Sequence, residues 1–231
     1  MATSGTTNFN PSLGELTLFA FNLVGVRPTE LTQQHMENAR MAANLVFSRW
    51  NNKGVNLWKV EQVIVPLVAG QSGYPVDSDT INILDAYMQI VQPDSTTQDR
   101  IILPISRSEY ATYPNKEMQG FTTVYWLDRL LSPTVTLWPV PDGYSAQNLV
   151  YYRSIVVQDA GFAGGQTLDL PSLWFETFAL SLASWLAMIY APDKAQLLKA
   201  AAEESYNIAA DQNTETANFY ITPMLNTYWR P

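Results

Sequence analysis

Residues 134–157, TVTLWPVPDGYSAQNLVYYRSIVV, decide the fold class. Thr134–Val140 and Leu149–Val157 are rich in Val, Leu, Tyr and Trp. The turn Pro141-Asp142-Gly143 stands between them, and the combination predicts a β-hairpin. Upstream, Trp58–Leu67 (WKVEQVIVPL) is equally β-rich, AGQSG at 69–73 reads as a turn, and Ile81–Val91 (INILDAYMQIV) fits a strand partner. Leu103–Gly120 lies between these strands as loop with room for one helical turn. The middle of the chain, about residues 57–157, therefore reads as a β-module.

Helical patterns flank it. Ser12 and Glu15 form an S-x-x-E capping box, followed by a short apolar helix, Leu13–Val24, closed by Gly25. Pro28 and Thr29 are expected to open a second helix running to about Asn52, with Gly54 as its stop. Leu31, His35, Asn38/Ala39, Ala42, Leu45/Val46 and Trp50 fall on one stripe of that helix. Past the Gly-rich GFAGG at 161–165, Asp169 and Pro171 open a helix through Tyr190 that Pro192 halts. Asp193 then caps another to about Asp211, whose small residues include Ala195, Ala201, Ala202 and Ala209. Thr214–Pro231 has no clean period but holds Phe219, Tyr220, Ile221, Tyr228 and Trp229, beside Arg230, and is expected to dock on a partner. The predicted fold class is α+β: mainly an α-helical bundle (helices about 12–52 and 169–211) with an inserted β-strand module and an extended C-terminal arm. Residues 1–213 form the core and 214–231 the arm.

Composition narrows the function. Of 231 residues 47% are apolar and only 15% charged, which leaves little charge to cover a surface and points to extensive subunit contacts. A monomer covered by Thr, Asn and Gln is the other reading. The net charge is −8, and the 13 Lys and Arg form no run, which argues against tight nucleic-acid binding. Without cysteine there is neither a disulfide framework nor a thiolate metal site. The N-terminal MATSGTTNFNPS has no secretory pattern. The apolar run Leu173–Ala191 includes Glu176 and several Ser and Thr, so it reads as a buried helix rather than a membrane span.

The chain also offers little chemistry. The lone histidine, His35, sits on an apolar stripe, where a hydrogen-bonded interior or interface role is expected rather than that of a triad base or a metal ligand. Glu109, Glu117, Asp128 and Asp142 are acids without a pairing spacing, and Glu203-Glu204 do not share a helix face. GFAGG lacks the spacing of a phosphate loop. Catalytic residues, metal and cofactor are therefore all expected to be absent. The stretch 103–143 reads instead as a rigid contact module. Pro104, Pro114, Pro133, Pro139 and Pro141 fix its path, and Ser106 and Ser108 satisfy nearby backbone groups. Its interface set is Arg107, Glu109, Tyr110, Lys116, Trp126, Asp128, Arg129, Trp138 and Arg153. The three arginines are expected to pair with Glu109, Asp128 or a neighbouring subunit.

LPISRSEYATYPNKEMQG (103–120), VYWLDR (124–129), P-x-V-x-LWPVPD (133–142), YYR (151–153) and LDLPSLWFETFALSLASWLAMIYAP (168–192) stand in an order that resembles one family. It is the head-to-tail adaptors of short-tailed, podovirus-type bacteriophages, the connector, neck, tail tubular protein A or tail accessory factor class. The resemblance spans about Leu13–Asn213. It implies a virion protein at the head–tail junction, made in the cytoplasm of the bacterial host, and a homo-oligomeric ring, a dodecamer. The implied partners are the portal protein, gripped largely through the C-terminal arm, and the tail nozzle protein. Double-stranded DNA would pass through the ring without sequence-specific binding, and no membrane is involved. The rival readings are a virion-associated glycan hydrolase or a sugar-binding tail module, suggested by the aromatics and unpaired acids. The connector of long-tailed phages is a closer cousin of the adaptor reading.

Overall fold

The computed structural model describes residues 5–6, 9–54, 57–92, 95–161 and 165–214. The first helix, α1 (Leu13–Val24), begins as its capping box requires. The Ser12 hydroxyl accepts from the Glu15 N–H at 3.3 Å, and the Ser12 N–H donates to Glu15 Oε2 at 2.8 Å. Gly25 ends it with φ +103°, a left-handed conformation that favours glycine, and Lys194 Nζ donates to the free Val24 carbonyl at 2.9 Å.

The second helix starts later than Pro28 and Thr29 suggest. Pro28–Glu30 make a single 3-10 turn, Leu31 is extended, and α2 runs from Gln33 to Lys53. Thr32 is its cap: His35 Nδ1 accepts from the Thr32 N–H at 3.2 Å and lies 2.7 Å from its hydroxyl. This keeps the chain extended ahead of the helix. Ala39, Ala42, Val46 and Trp50 are buried as the stripe predicts, whereas Leu45 is exposed and Ala43 and Phe47 are buried with the stripe.

The β-region comprises β1 (Val60–Pro66), β2 (Gly73–Pro75), β3 (Thr80–Val91), β4 (Thr97–Ile101), β5 (Leu103–Pro104), the short helix α3 (Arg107–Thr112), β6 (Val124–Asp128), β7 (Thr134–Trp138) and β8 (Ala146–Ile155). The strands form two four-stranded sheets, ordered β1-β8-β3-β4 and β2-β7-β6-β5. The expected hairpin is therefore overturned, because β7 and β8 belong to different sheets. Pro139 and Pro141 lack N–H donors where a hairpin ladder would begin. The connection is tied instead to the β1–β2 loop, by Gly70 N–H to the Pro141 carbonyl and Leu67 N–H to the Gln147 carbonyl, both 2.9 Å. Val135 and Leu137 from one sheet and Leu149 and Tyr151 from the other then enter the same core, with Met88, Ile102 and Tyr125. Pairing β7 with β8 would have put both pairs in one layer.

The chain returns to helix through a 3-10 turn at Ser172–Trp174, then α4 (Phe175–Tyr190) and α5 (Pro192–Gln212). Pro192 is the first residue of α5 rather than merely the stop of α4. Asp193 lies in its first turn, and Ala191 holds the cap position assigned to Asp193. The segment Ser172–Tyr190 is long and apolar enough to cross a membrane, but it is the core of this unit, touching α1, α2 and α5. Phe178, Leu182 and Leu186 on it are wholly buried, and the Phe178 ring stacks on Phe47 at 5.3 Å. Helix accounts for 42% and strand for 26% of the described residues, so the fold is α+β. The helices and the two-sheet β-unit each have a core of their own.

The units are joined by polar contacts. Lys59 Nζ meets Asp169 Oδ2 at 2.6 Å, and the Asn44 side chain both donates to the Ala160 carbonyl (3.2 Å) and accepts from its N–H (2.8 Å). Asp169 thus serves a partner 110 residues away in sequence rather than a helix start.

Candidate interaction surfaces

The stretch 103–143 supplies β5, α3, β6 and β7, and with them three of the four strands of one sheet. Ser106 caps α3 by accepting from the Glu109 N–H at 3.1 Å. From α3, Tyr110 stacks on Trp126 of β6 (5.4 Å), and Tyr113 stacks on Trp138 of β7 (4.1 Å). Trp138 Nε1 donates to the Asn115 carbonyl at 2.9 Å. Lys116 ties the loop back by donating to the carbonyls of Tyr113 (3.0 Å) and Ala111 (3.3 Å). The aromatics are thus stacked on one another and hold the loop. Tyr113 and Asn115 were not among the expected interface residues. Tyr113 is the extended residue that ends α3, a position that no local spacing marks as an aromatic contact.

The expected ion pairs inside this module are not made. Among the described residues no ion pair joins Arg107 or Arg129 to Glu109 or Asp128; Arg129 donates to Asn82 Oδ1 at 2.9 Å, and Arg107 is exposed. Arg153 is buried in β8, its side chain 7% exposed, and pairs within its own chain with Asp79 (2.8 Å), Glu61 (2.9 Å) and Asp77 (3.0 Å). Local composition favoured the nearby acids, whereas the β1–β8 pairing brings Glu61 opposite Arg153. Burial works against the Arg153 charge. The hydrogen bond to Glu61 and the charges of Asp79 and Asp77 outweigh it and hold the guanidinium pKa above its ordinary value.

The candidate acids are spread over exposed positions, a turn and a helix face. Glu109 and Glu117 are exposed, Asp142 accepts from the Tyr144 N–H in its turn, and Glu203 faces Arg49 at 3.9 Å. His35 stacks on Tyr190 at 4.6 Å and meets Phe21 edge-on at 5.8 Å. Among the described residues no group of three or more His, Cys, Asp or Glu side chains is arranged to hold a metal ion. Of the expected arm, Phe219, Tyr220, Ile221, Tyr228, Trp229 and Arg230 lie outside the described residues.

What the helical unit does offer is apolar surface. Phe19 on α1, Met41 on α2, Ile189 on α4, and Leu197 and Ile208 on α5 are all exposed. Between α1 and α4 lies a groove of about 420 Å³, lined by Phe9, Leu16, Phe19, Phe175 and Ala179, with the exposed Glu15 and Glu176 beside them. An apolar groove with an exposed phenylalanine at its edge is a candidate site of association.

Stacked aromatics that hold a loop, a charge cluster closed on itself and apolar helix faces left open are the build of an assembly protein. Family comparison agrees: the model described as SU10 adaptor protein matches residues 24–224, and the chain belongs to this family of bacteriophage structural adaptors. It is therefore a virion component that works with other head and tail proteins of the phage. No curated protein matches the chain.

Proposed function

We propose that this protein forms the ring that joins the portal to the tail and surrounds the DNA exit channel. The observation that carries the reading is the apolar side chains exposed on all four long helices, in a chain with few charges to cover them. Side-to-side packing of copies would bury these faces, as obligate interfaces do. The head-to-tail resemblance extends the adaptor family to a portal above and a tail nozzle below, with a dodecameric ring as its expected order. The core, residues 1–213, makes the ring, and the arm, 214–231, grips the portal. A net charge of −8 suits a conduit for DNA, since like charges repel at close range. The protein on this reading is a mechanical joint and performs no catalysis.

Negative-stain microscopy of the protein mixed with the portal ring of its phage tests the assignment. The expected image is a second annulus stacked coaxially on the portal. Bare portal rings beside a monomeric protein would remove it.

A further inference from the structure

The helical unit has a groove, and the β-unit has a knob of matching chemistry. The knob is the turn after β6, where Arg129 is followed by Leu130, 65% exposed, and Leu131, 98% exposed. Neither leucine, being so exposed, fills the α1/α4 groove of its own chain. The groove is apolar along Phe9, Leu16, Phe19, Phe175 and Ala179, and it has carboxylates at Glu15 and Glu176. An apolar tip next to a cation faces an apolar slot next to anions.

We propose that Leu130 and Leu131 of one copy seat in the α1/α4 groove of the next, with Arg129 pairing with Glu15 or Glu176. The proposal rests on the ring reading and names a contact that builds the ring. Knob and groove are different patches of one chain, so the contact is heterologous. Each copy gives a knob to one neighbour and receives one from the other, an arrangement that makes a ring when the rotation between copies closes, whereas a self-complementary patch stops at a dimer. Arg129 already donates to Asn82, but a guanidinium has five N–H donors and this one is at an exposed position. The partner is thus recognised by shape and by sign of charge together.

The absence of cysteine makes a clean cross-linking test possible. Phe19→Cys and Leu131→Cys are placed in one chain, rings are assembled on the portal and checked by microscopy, and the thiols are then oxidised. The contact predicts a ladder of covalent multimers on a non-reducing gel, with neither single variant giving the ladder. Rings without a ladder would overturn the contact while leaving the ring reading intact, and would pass the groove to another occupant such as residues 215–231 or the portal. Absence of rings even for the unaltered chain would remove the ring reading, and the contact with it. A second variant, Leu131→Asp, alters a side chain in open solvent, so its thermal melting should match that of the parent. Its ring assembly should weaken by roughly tenfold or more, as for a central apolar anchor. Unchanged assembly overturns the proposal. Arg129→Glu should weaken assembly, and adding Glu176→Lys should restore it in part; absence of rescue counts against the charge match.

Discussion

Tyr113 and Trp138 lie face to face, their ring centroids 4.1 Å apart and their planes inclined by 18°. The pair joins the end of α3 to the end of β7, and Trp138 Nε1 adds a hydrogen bond to the Asn115 carbonyl. This fastening of the loop 113–119 stands beside the backbone bonds of Met118 and Gly120 to Val140, and its strength can be measured.

Trp138→Leu removes the stack and the hydrogen bond together. The expected cost is about 2 kcal/mol, from a stack worth about 1 kcal/mol and a hydrogen bond of similar size. Urea unfolding of the variant reads the loss, and a midpoint unchanged from the parent would show that the loop is held by something else.

Arg153→Met leaves Glu61, Asp77 and Asp79 facing one another without their cation. Breaking a fully buried pair costs about 3–5 kcal/mol, and these carboxylates are partly exposed and can rehydrate, so about 2–3 kcal/mol is expected. Added salt should recover part of it. Asp77→Asn, at the most exposed of the three acids, should cost under about 1 kcal/mol. Equal losses in the two variants would contradict the picture of one buried cation shared by surface acids.

Burial raises the phenols of Tyr74, Tyr125, Tyr151 and Tyr206 above their ordinary pKa of 10.0. Above that pH the unfolded chain binds fewer protons than the folded one. The stability they contribute is thus fully present below about pH 10 and is lost as pH rises through the folded values. Alkaline titration should show a fraction of the tyrosinate absorbance appearing together with loss of the circular-dichroism signal. Complete ionisation of all tyrosines before any unfolding would refute the burial argument.

Deleting residues 214–231 should abolish portal binding and leave the fold intact. Among the described residues both cores are built from side chains before residue 214, and the melting temperature of the truncated chain is expected to match that of the full chain. Retained portal binding would move the docking site into the core.

The helices were legible in the sequence because their signals are local. The Ser12–Glu15 box, Gly25 and Gly54 act within a few residues and are found where they were read, and of the α2 stripe Ala39, Ala42, Val46 and Trp50 are buried. The errors arose where a distant partner decides. Asp169 looks like a helix opener until Lys59, 110 residues earlier and just ahead of β1, reaches it. Pro141-Asp142-Gly143 looks like a hairpin turn because a turn signal says that the chain bends, not which sheet receives the strand. Of the expected interface set, Tyr110, Trp126, Trp138 and Lys116 make contacts inside the module itself. The partners of Arg129 and Arg153 come from 47 and up to 92 residues away, which no window of sequence displays.

The chain enters the β-unit along β1 and leaves it along β8, and these two strands are direct neighbours, with Val60 opposite Ser154. Both ends of the unit therefore hang from the helical unit side by side, like the two legs of a staple. Tension between the units runs along both strands at once and is resisted by the long register between β8 and β3, Thr80 to Val91. Those hydrogen bonds are loaded lengthwise and together, rather than peeled one after another. If the protein is the ring proposed above, that is the more resistant way to attach one half of the subunit to the other.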